Sequence, residues 1–449
     1  MAKVQKPTDF NVLLEQYGMQ VFELARTFKA VDDKGRYLHW DEFRRYPSHG
    51  ISKEAAWAAI KLSRACGSQT LELRSECASP FSLYLTEFCA AAIHGVEQMT
   101  SRLGGAAASS PQYRDNAKYL VDSLMMEEAI SSAQLEGAST TRKIAKDMLA
   151  KERTPQNDDE RMILNNYQLM KHAKYAKADN LSVALICEFQ AIATAGVEEA
   201  SAQPGHIRDG DDIFVGGPGN DVVHQPPKAS LLVPRLEALC RFANEHHDGQ
   251  DGRAFIHPLV KAIILHFMLG YEHPFRDGNG RTARCLFYWF MLRCGYWPFE
   301  YISISTLLKQ APMQYGRSYV QTETDGFDLT YFVIYQLRVI ERAIKDFMQH
   351  FENMRLEAFE LTAWVQRLEL KGGLNYRQSH LLKKVLQHPG RIFTPKELTH
   401  DYDVSENTAR TDLERLVGMK VLMKVQEGKS FLYIARDDGR DNLKKATLR

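Results

Sequence analysis

The sequence predicts a mainly α-helical protein: an all-helical core with one short β-hairpin flap, followed by a C-terminal winged helix-turn-helix. Three observations predict it. Apolar residues recur with a 3.6-residue period over most of the 449-residue chain. The long helical block from about Asn116 to about Met348 is interrupted by a stretch rich in Gly, Asp and Pro, Gly205 to Pro227. After Gly372-Gly373 the order becomes helix, helix, helix, hairpin.

In chain order, Phe10 to Phe28 reads as one helix. Ser52 caps the next, Ser-Lys-Glu-Ala-Ala-Trp-Ala-Ala-Ile-Lys-Leu, with an acidic residue two positions on. Phe81 to Met99 reads as a third. Gly104 to Pro111 is small and turn-rich, and marks a boundary. Inside the interruption, Ile213-Phe214-Val215 followed by Gly216-Gly217 reads as a hairpin or flap. Asp328 to about Leu370 continues as long helical pattern, either whole or broken once, until Gly372-Gly373 ends it. Tyr376 to Gln387 is helical, Thr394-Pro395 supplies a cap and a first-turn proline, and Ser405 caps a helix to about Val417. Val421 to Val425 and Ser430 to Ile434 are β-rich, joined around Glu427-Gly428. The expected domains are an N-terminal helical region over 1–105, a core over 106–350, a connecting helix over 351–373, a winged helix over 374–436 and a tail over 437–449.

Hydrophobic residues make up 44% and charged residues 25%, the balance of a soluble globular protein. A net charge of +1 excludes a polyelectrolyte, so any nucleic-acid surface must be local. The cysteines are scattered and form no C-x-x-C pair, which argues for a reducing cytoplasm without disulfides or a cysteine zinc site. The N-terminus is polar, and the most apolar stretch, Leu259 to Leu269, is broken by Lys261 and His266 and too short to span a bilayer. A cytoplasmic location with no membrane partner is expected, and homo-oligomerisation is left open.

The run His273-Pro-Phe-Arg-Asp-Gly-Asn-Gly-Arg-Thr-Ala-Arg284 carries the chemistry. An apolar helix ends before it near Tyr271, and a helix with Leu286, Phe287 and Phe290 on one face starts near Asn279. Gly278 and Gly280 reach backbone angles barred to other residues, so successive N–H groups can form an anion nest at a helix N-terminus. Arg281 and Arg284, three apart, share a helical face and can grip adjacent phosphates. Asp277 can ligate Mg²⁺, which takes one or two carboxylates plus phosphate oxygens. His273 has the near-neutral unperturbed pKa of a general base. A plain helix–loop–helix needs neither the histidine nor both arginines.

This run resembles the Fic motif, H-x-F-x-[DE]-G-N-G-R-x-x-R, with every fixed position filled. The resemblance covers roughly residues 116 to 350. It implies a protein adenylyltransferase that moves AMP from ATP to a Ser, Thr or Tyr hydroxyl of a target protein. His273 would take the hydroxyl proton and Asp277 would hold Mg²⁺. Asn279 would meet the α-phosphate region, and Gly278 and Gly280 would give backbone contacts. Arg281 and Arg284 would hold the β- and γ-phosphates, and Phe275 would anchor the loop in the core. Ser132-Ala-Gln-Leu-Glu136-Gly137 resembles the family's inhibitory pattern [ST]-x-x-x-E-[GN]. It implies that Glu136 pairs with Arg284 and blocks the γ-phosphate. The same glutamate could instead serve removal of AMP from a modified target. Ile213, Phe214 and Val215 resemble the flap that pairs with an extended target segment.

Other clusters read more plainly. Glu245-His246-His247-Asp248 is read as a solvated loop, its residues being adjacent and unable to face one ion. His257 and His266 are read as satisfied helix histidines, and Tyr315 and Tyr319 as buried helix aromatics. In the C-terminal module Asn407, Arg410, Thr411, Arg415, Lys424 and Lys429 are of the types that contact bases and phosphates, diluted by acidic neighbours. DNA and protein both stay open as its partner, and with DNA the protein would be a nucleotide-sensing regulator.

Overall fold

The computed structural model describes residues 4–47, 50–108, 125–197, 203–216, 222–370, 373–387, 390–427, 430–439 and 441–443. The chain divides into two compact units, Met1–Phe347 and Met348–Arg449. Helices dominate both, and the described strands form three small sheets. No helix among the described residues is long and apolar enough to cross a membrane.

The site-bearing part of the first unit uses six helices. These are α1 (125–135), α2 Asp158–Tyr175, α3 Val183–Thr194, α4 Pro258–Glu272, α5 Asn279–Arg293 and α6 Pro312–Thr324. The sequence of α4 is apolar on every face, and such a helix has to sit at the centre. Leu259, Ile263, Ile264, Leu265 and Phe267 are all fully buried there. His257 caps α4 by accepting from the Leu259 N–H, and Pro258 occupies the first turn, where a missing N–H costs nothing. In α5 the polar tips of buried aromatics find partners: Tyr288 Oη donates to Ile302 O, and Trp289 Nε1 donates to Ala176 O, both at 2.9 Å. His266, buried in α4, meets Tyr315 Oη at 2.7 Å.

The N-terminal reading needs three corrections. Phe10 to Phe28 is two helices, Phe10–Tyr17 and Met19–Leu24, because Gly18 takes φ 45 between them. Phe81 does not open a helix. Pro80–Leu83 is a strand paired antiparallel with Gln69–Arg74, and Phe81 and Leu83 are buried on the two-residue period of a strand. The helix begins at Glu87 and continues through Gly104-Gly105 to Ala108, so that glycine pair ends no element. The N-terminal block packs on the core through buried polar contacts. Arg64 Nη1 donates to Tyr331 Oη at 2.6 Å, and Tyr37 Oη donates to Asp328 Oδ2 at 2.6 Å. In the Glu245–Asp248 segment Glu245, His246 and Asp248 are exposed, as a solvated loop requires, and only His247 is half-buried, its Nδ1 3.0 Å from Lys261 Nζ and its ring against Phe242.

Thr330–Leu370 is one unbroken helix. In the second unit the helices Tyr376–Gln387, Pro395–Tyr402 and Glu406–Gly418 enclose a core of Leu381, Leu382, Leu398, Leu413, Leu416 and Tyr433. Thr394 and Ser405 cap the second and third helices as the sequence suggests. Strand Leu422–Glu427 pairs with Ser430–Ala435, whose other edge takes a short strand, Ile392–Phe393, that the sequence did not announce. Asn407, Arg410 and Thr411 lie exposed on one helix. Arg410 is paired with Glu406 and Lys424 with Glu414, which removes much of the local positive field. Lys429 lies outside the described residues.

Candidate active site

The loop between α4 and α5 is built by backbone geometry first. His273 closes α4 in the left-handed region at φ 44, with its N–H bonded to Leu269 O. Gly278 opens α5 at φ 81, and no side chain caps that end. The first N–H groups of α5 therefore point into the loop as an anion nest. Asn279 stitches the loop shut: its Oδ1 accepts from Phe275 N at 2.9 Å and its Nδ2 donates to Phe275 O at 2.7 Å. Phe275 itself is fully buried, an anchor as expected.

Gly278 has no room for a side chain. A Cβ there would stand 2.9 Å from Thr194 Cγ2, on a backbone that already disfavours L-residues. Gly278→Ala is expected to destabilise the first unit by more than ~1 kcal/mol, read as a lower unfolding temperature by calorimetry. A melting profile equal to wild type would remove the argument.

The two motif arginines are both buried but differently employed. Arg281 donates from Nη1 to Ala193 O at 2.6 Å and from Nη2 to Asp277 Oδ2 at 2.7 Å. It braces the loop, and both terminal nitrogens are occupied. Arg284 reaches α1: Nε donates to Ser132 Oγ at 2.9 Å and Nη2 to Ser132 O at 3.1 Å. Its Nη1 stands 2.8 Å from Glu136 Oε1, an ion pair set off line for a hydrogen bond. Glu136 lies just past the end of α1, and Gly137 follows at φ 108, so the chain turns away at once. A Cβ at Gly280 would collide with the Glu136 carboxylate, so glycine there is what lets the carboxylate seat over the nest.

His273 and Asp277 face this ground. Burial pushes the His273 imidazole down to about 4, and the charges of His224 and Arg208 act in the same direction against the Gly270 carbonyl. Its Nδ1 lies 3.4 Å from Gly270 O. Neutral imidazole is the form a base requires. Asp277 spends Oδ2 on Arg281 and is about a third exposed, leaving carboxylate lone pairs for a hard cation. No group of three or more His, Cys, Asp or Glu that could hold a metal ion occurs among the described residues.

Sequence reasoning missed three residues that build the site. Arg208, buried, bonds His273 O at 3.0 Å, Gly210 O at 2.7 Å and also Pro227 O, tying both ends of the flap segment to the loop. Gln190, on α3, donates to Asp277 O at 2.9 Å and accepts from Gly205 N. His224 joins the flap to α4 and α6. All three act largely on backbone atoms, which leave no spacing signal. The flap is smaller than expected. Val215–Gly216 pairs with Val222–His224, while Ile213 and Phe214 precede the strand and Gly217 lies outside the described residues.

The loop thus gathers the uncapped N–H groups of α5, the His273 imidazole and the Asp277 carboxylate, the parts that can hold an anion and its counter-cation. Residues 180–291 match the family model described as Fic/DOC family. Among curated relatives, "Protein adenylyltransferase Fic" of Drosophila yakuba is 34% identical over 88 residues, 20% of this chain and 16% of that protein. The protein of the same name from Drosophila virilis is 33% identical over 88 residues, with the same coverage. The chain thus spans about a sixth of these relatives' length. Among solved structures, Fic-1 from C. elegans superposes with a TM-score of 0.51 at 15% identity, over 78% of this chain and 90% of that one. That likeness is one of fold.

Proposed function

We propose that the protein transfers AMP from ATP to a hydroxyl of a target protein, and that Glu136 holds it at rest. The cradle formed by the uncapped start of α5, beside a neutral His273, is the observation that carries the reading. The target Ser, Thr or Tyr hydroxyl gives its proton to His273. Its oxygen bonds the α-phosphorus, the α–β bridging bond breaks, and pyrophosphate leaves with the electron pair. The N–H groups of α5 hold phosphate oxygens, and buried Arg281 adds positive charge without needing a free fork. Asp277 would hold Mg²⁺, which neutralises phosphate charge when bound. Arg284 takes the terminal phosphate once Glu136 withdraws. Catalysis is then positioning plus charge stabilisation, with one general base.

The test is a mass-spectrometric search for AMP-modified protein after incubating the Glu136→Gly variant with ATP, Mg²⁺ and lysate. Finding no modified protein, the variant itself included, would overturn the proposal. The pH dependence follows from His273. Its depressed pKa keeps the base form present down to about 4, so transfer by the Glu136→Gly protein should persist at pH 5 and fall as pH drops further. An acid limb centred near 6.5 would contradict it.

A further inference from the structure

The flap strand Val222–His224 ends on a histidine that is 7% exposed. Its Nδ1 lies 2.7 Å from Glu323 Oε2, on α6. Its Nε2 lies 2.7 Å from the carbonyl oxygen of Tyr271, in the last turn of α4. A carboxylate and a backbone carbonyl both accept hydrogen bonds. Neutral imidazole has one N–H and can serve only one of them, whereas the imidazolium serves both. The nearby carboxylate offsets its charge. The ring also rests against the Tyr271 ring, centroids 5.1 Å apart. The other charged or titratable groups nearby are Glu272 on α4, clamped by Arg235, together with Arg208 and the neutral His273. Burial works against protonation of His224, but Glu323, the Tyr271 carbonyl and Glu272 outweigh it, and its pKa is raised.

We infer that His224 is a positioning residue which, as an imidazolium, pins the flap strand Val222–His224 to the turn of α4 that leads into His273. For its catalytic consequence this rests on the adenylyl-transfer reading; its protonation state does not. The two histidines then need opposite states. His273 must be neutral and His224 charged. A histidine with a raised pKa holds its contact fully at low pH and loses it as pH rises through that pKa. Transfer is thus bell-shaped in pH, with His273 setting the acid limb and His224 the alkaline limb.

The ring ¹⁵N resonances of His224, assigned by their loss in His224→Gln, test the protonation state without any catalysis. Both nitrogens should be protonated below a midpoint that lies above the free-histidine value of ~6.5. Glu323→Gln should bring the midpoint below that value. A midpoint at or below the free-histidine value, or one unmoved by Glu323→Gln, would overturn the inference. Hydrogen exchange of residues 222–224 reads the pin itself: protection should fall through the same midpoint, and flat protection would refute it. In the Glu136→Gly background, Glu323→Gln should shift the alkaline limb of transfer to lower pH, and a stationary limb removes the positioning role. If Glu136→Gly transfers nothing at any pH, the adenylyl reading fails while the ring and exchange results still decide the pin.

Discussion

Glu136→Gly is expected to raise AMP transfer about ten- to hundredfold over wild type, the range of one or two freed charge-assisted contacts worth ~1.5–3 kcal/mol. The reason is competition for one fork. Arg284 is buried, its Nε and Nη2 are taken by Ser132, and Nη1 faces Glu136 at 2.8 Å. A terminal phosphate would compete with Glu136 for Nη1, the one nitrogen that Ser132 does not take. Glycine at 136 also clears the space above Gly280, where the carboxylate now sits. The measurement is incorporation of radiolabel from α-labelled ATP into protein. Equal labelling of variant and wild type would show that the ion pair restrains nothing.

His273→Ala in that derepressed background should lower transfer by roughly 10²–10⁴, the usual contribution of a positioned general base. The substitution should leave triphosphate affinity nearly unchanged, because the nest at α5 and Arg284 do not touch the ring. Binding and turnover should therefore separate, with nucleotide affinity by calorimetry intact and labelling lost. Full labelling by the alanine variant would remove His273 from the mechanism.

What could be read from the sequence was what lies together in it. His273 to Arg284 is contiguous, so its turn glycines, base and arginines announce themselves through local geometry alone. Glu136 is different. It sits far from Arg284 in sequence and looks like any glutamate at a helix end, so only the family resemblance pointed to it. Arg208, Gln190 and His224 gave no signal, because their partners are mostly carbonyls and amides that every residue carries. The misread N-terminus has a similar cause. Phe81 and Leu83 obey a two-residue period too short to stand out beside the helix that follows, and the break at Gly18 depends on a backbone angle. The role of Arg281 also changed: the sequence offered a free phosphate fork, while the fold spends both terminal nitrogens on Ala193 and Asp277.

Glu136 and Arg284 belong to the same folded unit, and this has a kinetic consequence. On the proposed reading the Glu136 carboxylate would be a tethered competitor whose local concentration is fixed by the fold, so dilution would not wash it out. Activity per molecule should be independent of protein concentration. The penalty falls on nucleotide affinity: if only ~1% of molecules have the fork open, the apparent dissociation constant for triphosphate is about a hundred times the intrinsic one. The cellular ATP level then becomes part of the switch, and anything that lifts the end of α1 by even a small free energy tunes the response to it.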